Sequence, residues 1–154
     1  MLKRILGLLL LSIVLVVSAC AGKAIASTQI KAQLEGEKVM VSASEVQNNQ
    51  NARFPLMTPA GNEYFMAYTL GDNLYVRASV CPPCRSTSFT LKGDTLVCDR
   101  CGTVFNAKTG SGIKGACINY PKATVPYTVA DGKIEMNVSD LVTAFENTLE
   151  PGAP

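Results

Sequence analysis

A mainly β domain, built on a small antiparallel sheet with two metal knuckles and one or two short helices, is predicted by three observations. Runs rich in aromatic and β-branched residues recur between residues 63 and 136. Short turn sequences built on glycine and aspartate separate them, and two Cys-x-x-Cys pairs interrupt the middle of the series.

The first 19 residues stand apart, and they inflate the 47% hydrophobic content of the chain. Lys3 and Arg4 precede an apolar run from Ile5 to Val17 that only Gly7 and Ser12 break, which reads as a signal peptide. That run is 13 residues long, whereas a spanning helix needs about 20, so an uncleaved membrane anchor is the alternative. Val17-Ser-Ala-Cys20 resembles the bacterial lipobox, which makes Cys20 the lipidation candidate and the new first residue. Acyl chains there, each contributing about 0.8 kcal/mol per buried methylene, hold a protein at a membrane surface without a spanning helix. A chance cysteine at this position still leaves the domain exported. The expected location is the extracytoplasmic face of the cell membrane.

Residues 20–37 are small and polar without clear periodicity, and are expected to form a lipidated tether. The working domain is expected over 38–149, with 150–154 as a tail. Lys38-Val-Met-Val41 is a strand candidate, and Ser42 with Glu45 forms a capping-box pattern for one or two helical turns. Asn48 to Asn51 reads as a loop. Residues 63–70 and 73–79 flank Gly71-Asp72 and should pair as a hairpin. Residues 88–91, 95–97 and 103–105 continue the strands, with Lys92-Gly-Asp94 turning between the first two. Residues 126–129 and 133–136 flank Ala130-Asp-Gly132 as a further hairpin. From Ser139, an N-cap candidate, Leu141, Val142, Phe145 and Leu149 give the spacing of an amphipathic helix that Pro151 ends.

Charge and composition exclude whole classes of function. Without its first 19 residues the chain carries 12 basic and 12 acidic side chains, with no basic stripe, so nucleic acid is not an expected partner. Histidine is absent, which removes every imidazole ligand and every histidine general base. No Gly-x-Ser-x-Gly, phosphate loop or pair of acids on one element is present, so the chain is not expected to be an enzyme.

The chemistry rests on cysteine. Cys81-Pro-Pro-Cys84 and Cys98-Asp-Arg-Cys101-Gly102 are separated by a strand, a turn and a strand, so a hairpin brings the pairs together. Two residues between cysteines let one tight knuckle aim both sulfurs at one ion. Gly102 removes a side chain where the backbone must curl around sulfur. Four thiolates suit zinc, iron or an iron–sulfur cluster. An exported chain offers two other readings of the same spacing, structural disulfides and a thiol redox couple. Cys117 sits among Gly110, Gly112 and Gly115 and is a candidate additional ligand, a free thiol or a small buried residue. Lys108 and Lys114 read as solvated surface, and Asn137-Val-Ser139 as a chance glycosylation match.

These residues carry a resemblance. The two Cys-x-x-Cys pairs, Gly102, Phe105 and Gly112-Ile-Lys-Gly-Ala-Cys117-Ile-Asn-Tyr-Pro121 resemble the membrane iron–sulfur FtrD-like domain over residues 37–145. Thr103-Val-Phe105-Asn-Ala-Lys-Thr109-Gly110 is more distantly similar to Rieske domains, which implies a Rieske-like partial barrel whose centre is held by cysteine alone. The resemblance implies an iron–sulfur electron-transfer protein of the cell envelope with a membrane redox or transport partner, such as an iron uptake system.

The candidate cofactors are therefore an iron–sulfur cluster or mononuclear iron, with zinc as the alternative. Clusters are assembled inside cells, while a single ion can be acquired after an unfolded chain is exported. A redox module and a structural zinc-ribbon module are the competing functions. A ferredoxin subunit for an oxygenase is a weaker third, since it belongs in the cytoplasm.

Overall fold

The computed structural model describes residues 22–58 and 61–152. The signal segment, Cys20 and the final two residues of the expected tail lie outside the described residues.

The middle of the fold is an antiparallel meander of β5 (Asn51–Thr58), β6 (Gly61–Leu70) and β7 (Asn73–Ala78), with β2 (Thr28–Gln29) added in parallel to β5. Gly71-Asp72 makes the expected hairpin turn, with Leu70 opposite Asn73. Gly71 has φ 58°, a left-handed conformation that suits the primed turns of hairpins. Neighbouring residues on a strand face opposite sides. Phe65 and Ala67 of β6 accordingly enter one core, while Met66 and Tyr68 enter another.

The larger core lies between this meander and a second sheet. That sheet has the order β12 (Thr128–Ala130), β13 (Lys133–Asn137), β4 (Lys38–Ser42) and β3 (Gln33–Glu35). Phe54 and Phe65 stack in this core with ring centroids 5.9 Å apart. Helix α1 (Ala43–Asn49) is started by Ser42, whose hydroxyl accepts from the Glu45 N–H at 3.3 Å, as the capping pattern predicts. Helix α2 (Val138–Leu149) buries Leu141, Ala144 and Thr148. Its cap residue is Asn137 rather than Ser139, which lies in the first turn.

The smaller core holds the cysteines. Its sheet has the order β1 (Ala24–Ile25), β8 (Phe89–Lys92), β9 (Thr95–Cys98), β10 (Val104–Asn106) and β11 (Gly112–Lys114). Met66, Tyr68, Phe89, Leu91, Leu96 and Phe105 pack in it with Cys81, Cys98 and Cys117. Buried Asn51 at the start of β5 ties the two halves, donating from Nδ2 to the carbonyls of Ile25 and Phe89, each at 2.9 Å.

From Ala24 on, the segment expected to be a tether is instead part of the fold. β1, β2 and β3 each add an outer strand to a different sheet. Their backbone groups satisfy exposed sheet edges, a role that polar side chains with no alternation do not reveal. β5 is a second difference: Pro55 and Arg53 break its pattern. β2 pairs only with Ala52 and Arg53, so Pro55 sits beyond it, where a missing N–H is tolerated. Among the described residues no helix is long and apolar enough to cross a membrane.

Candidate metal centre

The two Cys-x-x-Cys segments fold into the same knuckle. In the first, the Cys81 N–H donates to the Ser86 carbonyl at 2.8 Å and the Arg85 N–H donates to the Cys81 carbonyl at 2.7 Å. In the second, the Cys98 N–H donates to the Thr103 carbonyl and the Gly102 N–H to the Cys98 carbonyl, both at 2.9 Å. The residue after each second cysteine is left-handed, Arg85 at φ 57° and Gly102 at φ 69°. A Cβ at Gly102 would meet nothing within 4 Å, so the glycine serves backbone conformation, not the clearance expected of it. Gly102→Ala is therefore expected to cost about 1–2 kcal/mol. Arg85→Gly, which relieves the same conformation in the twin knuckle, is expected to raise the melting temperature, and thermal unfolding of both variants checks the pair.

The β8–β9 hairpin brings the knuckles face to face. Sγ of Cys84 lies 3.6 Å from Sγ of Cys98, and Sγ of Cys81 lies 3.9 Å from Sγ of Cys101. Cys117 comes in from the segment after β11, its Sγ 3.8 Å from that of Cys101. The sulfurs of Cys81, Cys84, Cys101 and Cys117 all lie within 4.8 Å of one another. All five thiols are free and stand far beyond the roughly 2.05 Å of a disulfide. Cys81, Cys98 and Cys117 are buried, while Cys84 and Cys101 are partly open to solvent. Four sulfurs about 2.3 Å from one ion stand about 3.8 Å apart in a tetrahedron, so these separations suit a shared metal.

Close packing of the cysteines also divides their protons. The hydrogen bond from Cys81, helped by the N–H groups of Cys101 and Arg100, overcomes burial and brings the Cys98 thiol down to about 4. That same bond, with burial, pushes the Cys81 thiol far up. Burial raises Cys84. Burial opposes ionisation of Cys101 too, but its hydrogen bonds with Thr103 hold it below the usual thiol value. Cys98 and Cys101 are thus the thiols whose surroundings favour the thiolate that a metal needs.

Three residues that the sequence does not single out complete the surroundings. Thr103 is buried, with Oγ1 3.2 Å from the Cys101 sulfur and accepting from the Cys117 N–H at 3.2 Å. Arg77 is 2% exposed and donates to Tyr68 Oη at 2.9 Å, the Lys122 carbonyl at 2.8 Å, Thr124 Oγ1 at 2.7 Å and the Lys108 carbonyl. Lys122 is fully buried, its Nζ donating to the Val80 carbonyl at 2.7 Å and lying 4.5 Å from the Phe105 ring centroid. A loop cation followed by a small residue carries no local sequence signal of burial. Thr103, two residues after Cys101, was visible as a strand residue and as the start of the Rieske-like run, with nothing to mark its hydroxyl as a partner of the cysteines.

Glycines close the third segment against this frame. A Cβ on Gly110 would lie 2.2 Å from the Lys122 carbonyl oxygen, and one on Gly112 2.2 Å from that of Ile118. Lys108 and Lys114 are exposed, as expected of surface lysines.

Comparison with known proteins agrees with this frame. Residues 46–147 match the family described as "Membrane iron-sulfur containing protein FtrD-like". No curated protein matches the chain. One chain of the structure "Complex of reduced oxygenase and oxidized ferredoxin in carbazole 1,9a-dioxygenase" aligns with a TM-score of 0.54 at 23% identity. That alignment covers 68% of this chain and 95% of the other, and it shows a shared fold and nothing more. The Sphingomonas yanoikuyae B1 ferredoxin aligns with a TM-score of 0.44 at 21% identity, over 54% of this chain and 83% of its own.

Proposed function

We propose, from the premise that the chain belongs to the FtrD-like family of membrane iron–sulfur containing proteins, that it is an electron-transfer module whose centre is held by Cys81, Cys84, Cys98 and Cys101. The observation that carries this reading is the convergence of sulfurs from three segments: those of Cys81, Cys84, Cys101 and Cys117 lie within 4.8 Å of one another, and that of Cys98 lies 3.6 Å from Cys84. When bound, an iron–sulfur centre supplies a one-electron couple to a donor and an acceptor.

The chain's own residues supply the rest. Two rigid knuckles fix the sulfurs, and N–H groups within them donate to Cys84, Cys98 and Cys101. Phe89, Phe105 and Leu96 exclude water from the inner side, while Cys84 and Cys101 face outward on the side an electron partner can reach. Such a chain carries electrons and is not itself an enzyme.

A signal peptide over residues 1–19 and a lipid on Cys20 would hold the domain on the extracytoplasmic face of a membrane. Its partner there would be a membrane redox or transport protein, an iron uptake system being the example the family resemblance implies. Nucleic acid has no part in this reading.

A mononuclear centre is the second reading, favoured by two separations between the knuckles, 3.6 and 3.9 Å, that are close to the edge of a tetrahedron of thiolates around one ion. With zinc, the site would be a structural module whose metal contributes folding free energy. Natively purified full-length protein distinguishes them. The electron-transfer reading expects visible absorption with iron and acid-labile sulfide. Iron without sulfide keeps the redox role with a single ion, and a colourless zinc protein overturns it.

A further inference from the structure

Lys122 is an unusual object in a protein with few buried charges. Among the described residues the buried charged side chains are Arg77 and Lys122, both cationic, and no carboxylate is buried with them. Arg77 is engaged by neutral acceptors on Tyr68, Thr124 and the backbone of Lys108 and Lys122. The Lys122 ammonium has one hydrogen-bond acceptor, the carbonyl of Val80, which immediately precedes Cys81. Phe105 and Phe89 lie 4.5 and 5.5 Å from it by ring centroid. Those rings share one buried cluster with Cys81, Cys98 and Cys117.

An isolated ammonium in such a place is strongly disfavoured unless an anion answers it. A methionine would fill the same space without that penalty. The groups that can answer it are the sulfurs of the same buried cluster: burial pulls the Lys122 ammonium down to about 8, and negative charge on Cys81, Cys98, Cys117 and Cys84, as metal binding would place there, pulls it back up. No acidic side chain takes part in that balance.

We infer that Lys122 is the fixed counter-charge of the sulfur centre, a positioning residue whose ammonium behind Cys81 sets the centre's reduction potential and metal affinity. This rests on the reading of the cysteines as a metal site. Four thiolates around a ferric ion would leave a net negative charge. One-electron reduction to the ferrous state would add a further negative charge and no proton, with the electron coming from a donor protein or, in the test, from dithionite. A cation held in a low-dielectric setting stabilises that reduced, more negative state more than the oxidised one. Its lysine chain also leaves the Val80 carbonyl satisfied, so the charge is held on a rigid support.

Lys122→Gln keeps an N–H donor and removes the charge, while Lys122→Arg keeps the charge. Both are compared with wild type in the full-length, iron-loaded protein by iron content, absorption and midpoint potential. The Gln variant is expected to bind iron with a similar spectrum and a potential lower by about 59 mV or more, a tenfold shift for one electron. The Arg variant is expected to stay near wild type. Equal potentials in Gln and wild type, or equal shifts in Gln and Arg, overturn the inference.

If the wild type holds zinc and no iron, the electron-transfer reading fails separately. The counter-charge is then tested by chelator competition, where about tenfold weaker zinc binding in Gln alone supports it and unchanged binding overturns it. If the variants fail to fold, nitrogen NMR of Lys122 Nζ in the wild type decides. The ammonium is expected to persist to higher pH in the metal-loaded than in the metal-free protein, and identical behaviour overturns the inference.

Discussion

Serine at Cys81, Cys84 or Cys101 is expected to abolish the centre, lowering metal content well beyond the 10–100-fold that loss of an outer-shell partner produces. Each of these three belongs both to the two knuckles and to the tight group that includes Cys117. Cys98 and Cys117 are different. Removing either one leaves one of these two groups of four complete, so Cys98→Ser and Cys117→Ser are each expected to retain metal with an altered spectrum. The double variant leaves three sulfurs and is expected to lose it. Metal analysis across the five single variants and the double variant checks the pattern, and retention by the double variant would contradict it.

Arg77→Met is expected to be the most damaging change outside the cysteines, at about 4 kcal/mol. The guanidinium holds together three places far apart in sequence: Tyr68 on β6, the Lys108 carbonyl after β10, and Lys122 with Thr124 beyond Cys117. Its loss leaves the buried Lys122 carbonyl without a donor, at about 1–3 kcal/mol, and removes the donor of the half-buried Lys108 carbonyl as well. Arg77→Lys is expected to recover little, because one ammonium cannot reproduce the planar fork that reaches several acceptors. Urea unfolding of metal-loaded protein measures both. A cost below about 1 kcal/mol for Arg77→Met would show that the three places are held by other contacts.

The hairpins were legible because turn and strand residues agree locally. Gly71-Asp72 turns between β6 and β7, and Asp131 and Gly132, at φ 49° and 73°, turn between β12 and β13. The cysteine knuckles were legible for a similar reason, since the ligand spacing is local, while the left-handed turn after each pair, at Arg85 and Gly102, was not foreseen. What escaped the sequence depends on distant partners. β1, β2 and β3 are strands only because open sheet edges need their backbones, and β5 hides behind Pro55. Lys122 looks like any surface lysine until the fold buries it beside Phe105. The use of Cys117 was open in the sequence, and its sulfur proves to lie 3.8 Å from Cys101.

The fold gives this arrangement a division of labour. The larger core between two sheets supplies stability without any metal, because its packing of Phe54, Phe65, Val41 and Ile134 contains no cysteine. The smaller core shares β6 with it and carries the sulfurs. Chelation is therefore expected to loosen the cysteine-bearing part more than the rest.

X-ray absorption at the metal edge of natively purified, full-length protein addresses the central claim most directly. Convergence of the two knuckles on one centre predicts a first shell made of sulfur, with thiolates at about 2.3 Å and no nitrogen ligands. A shell dominated by oxygen or nitrogen, or a metal-free protein with Cys81 joined to Cys84, would contradict it.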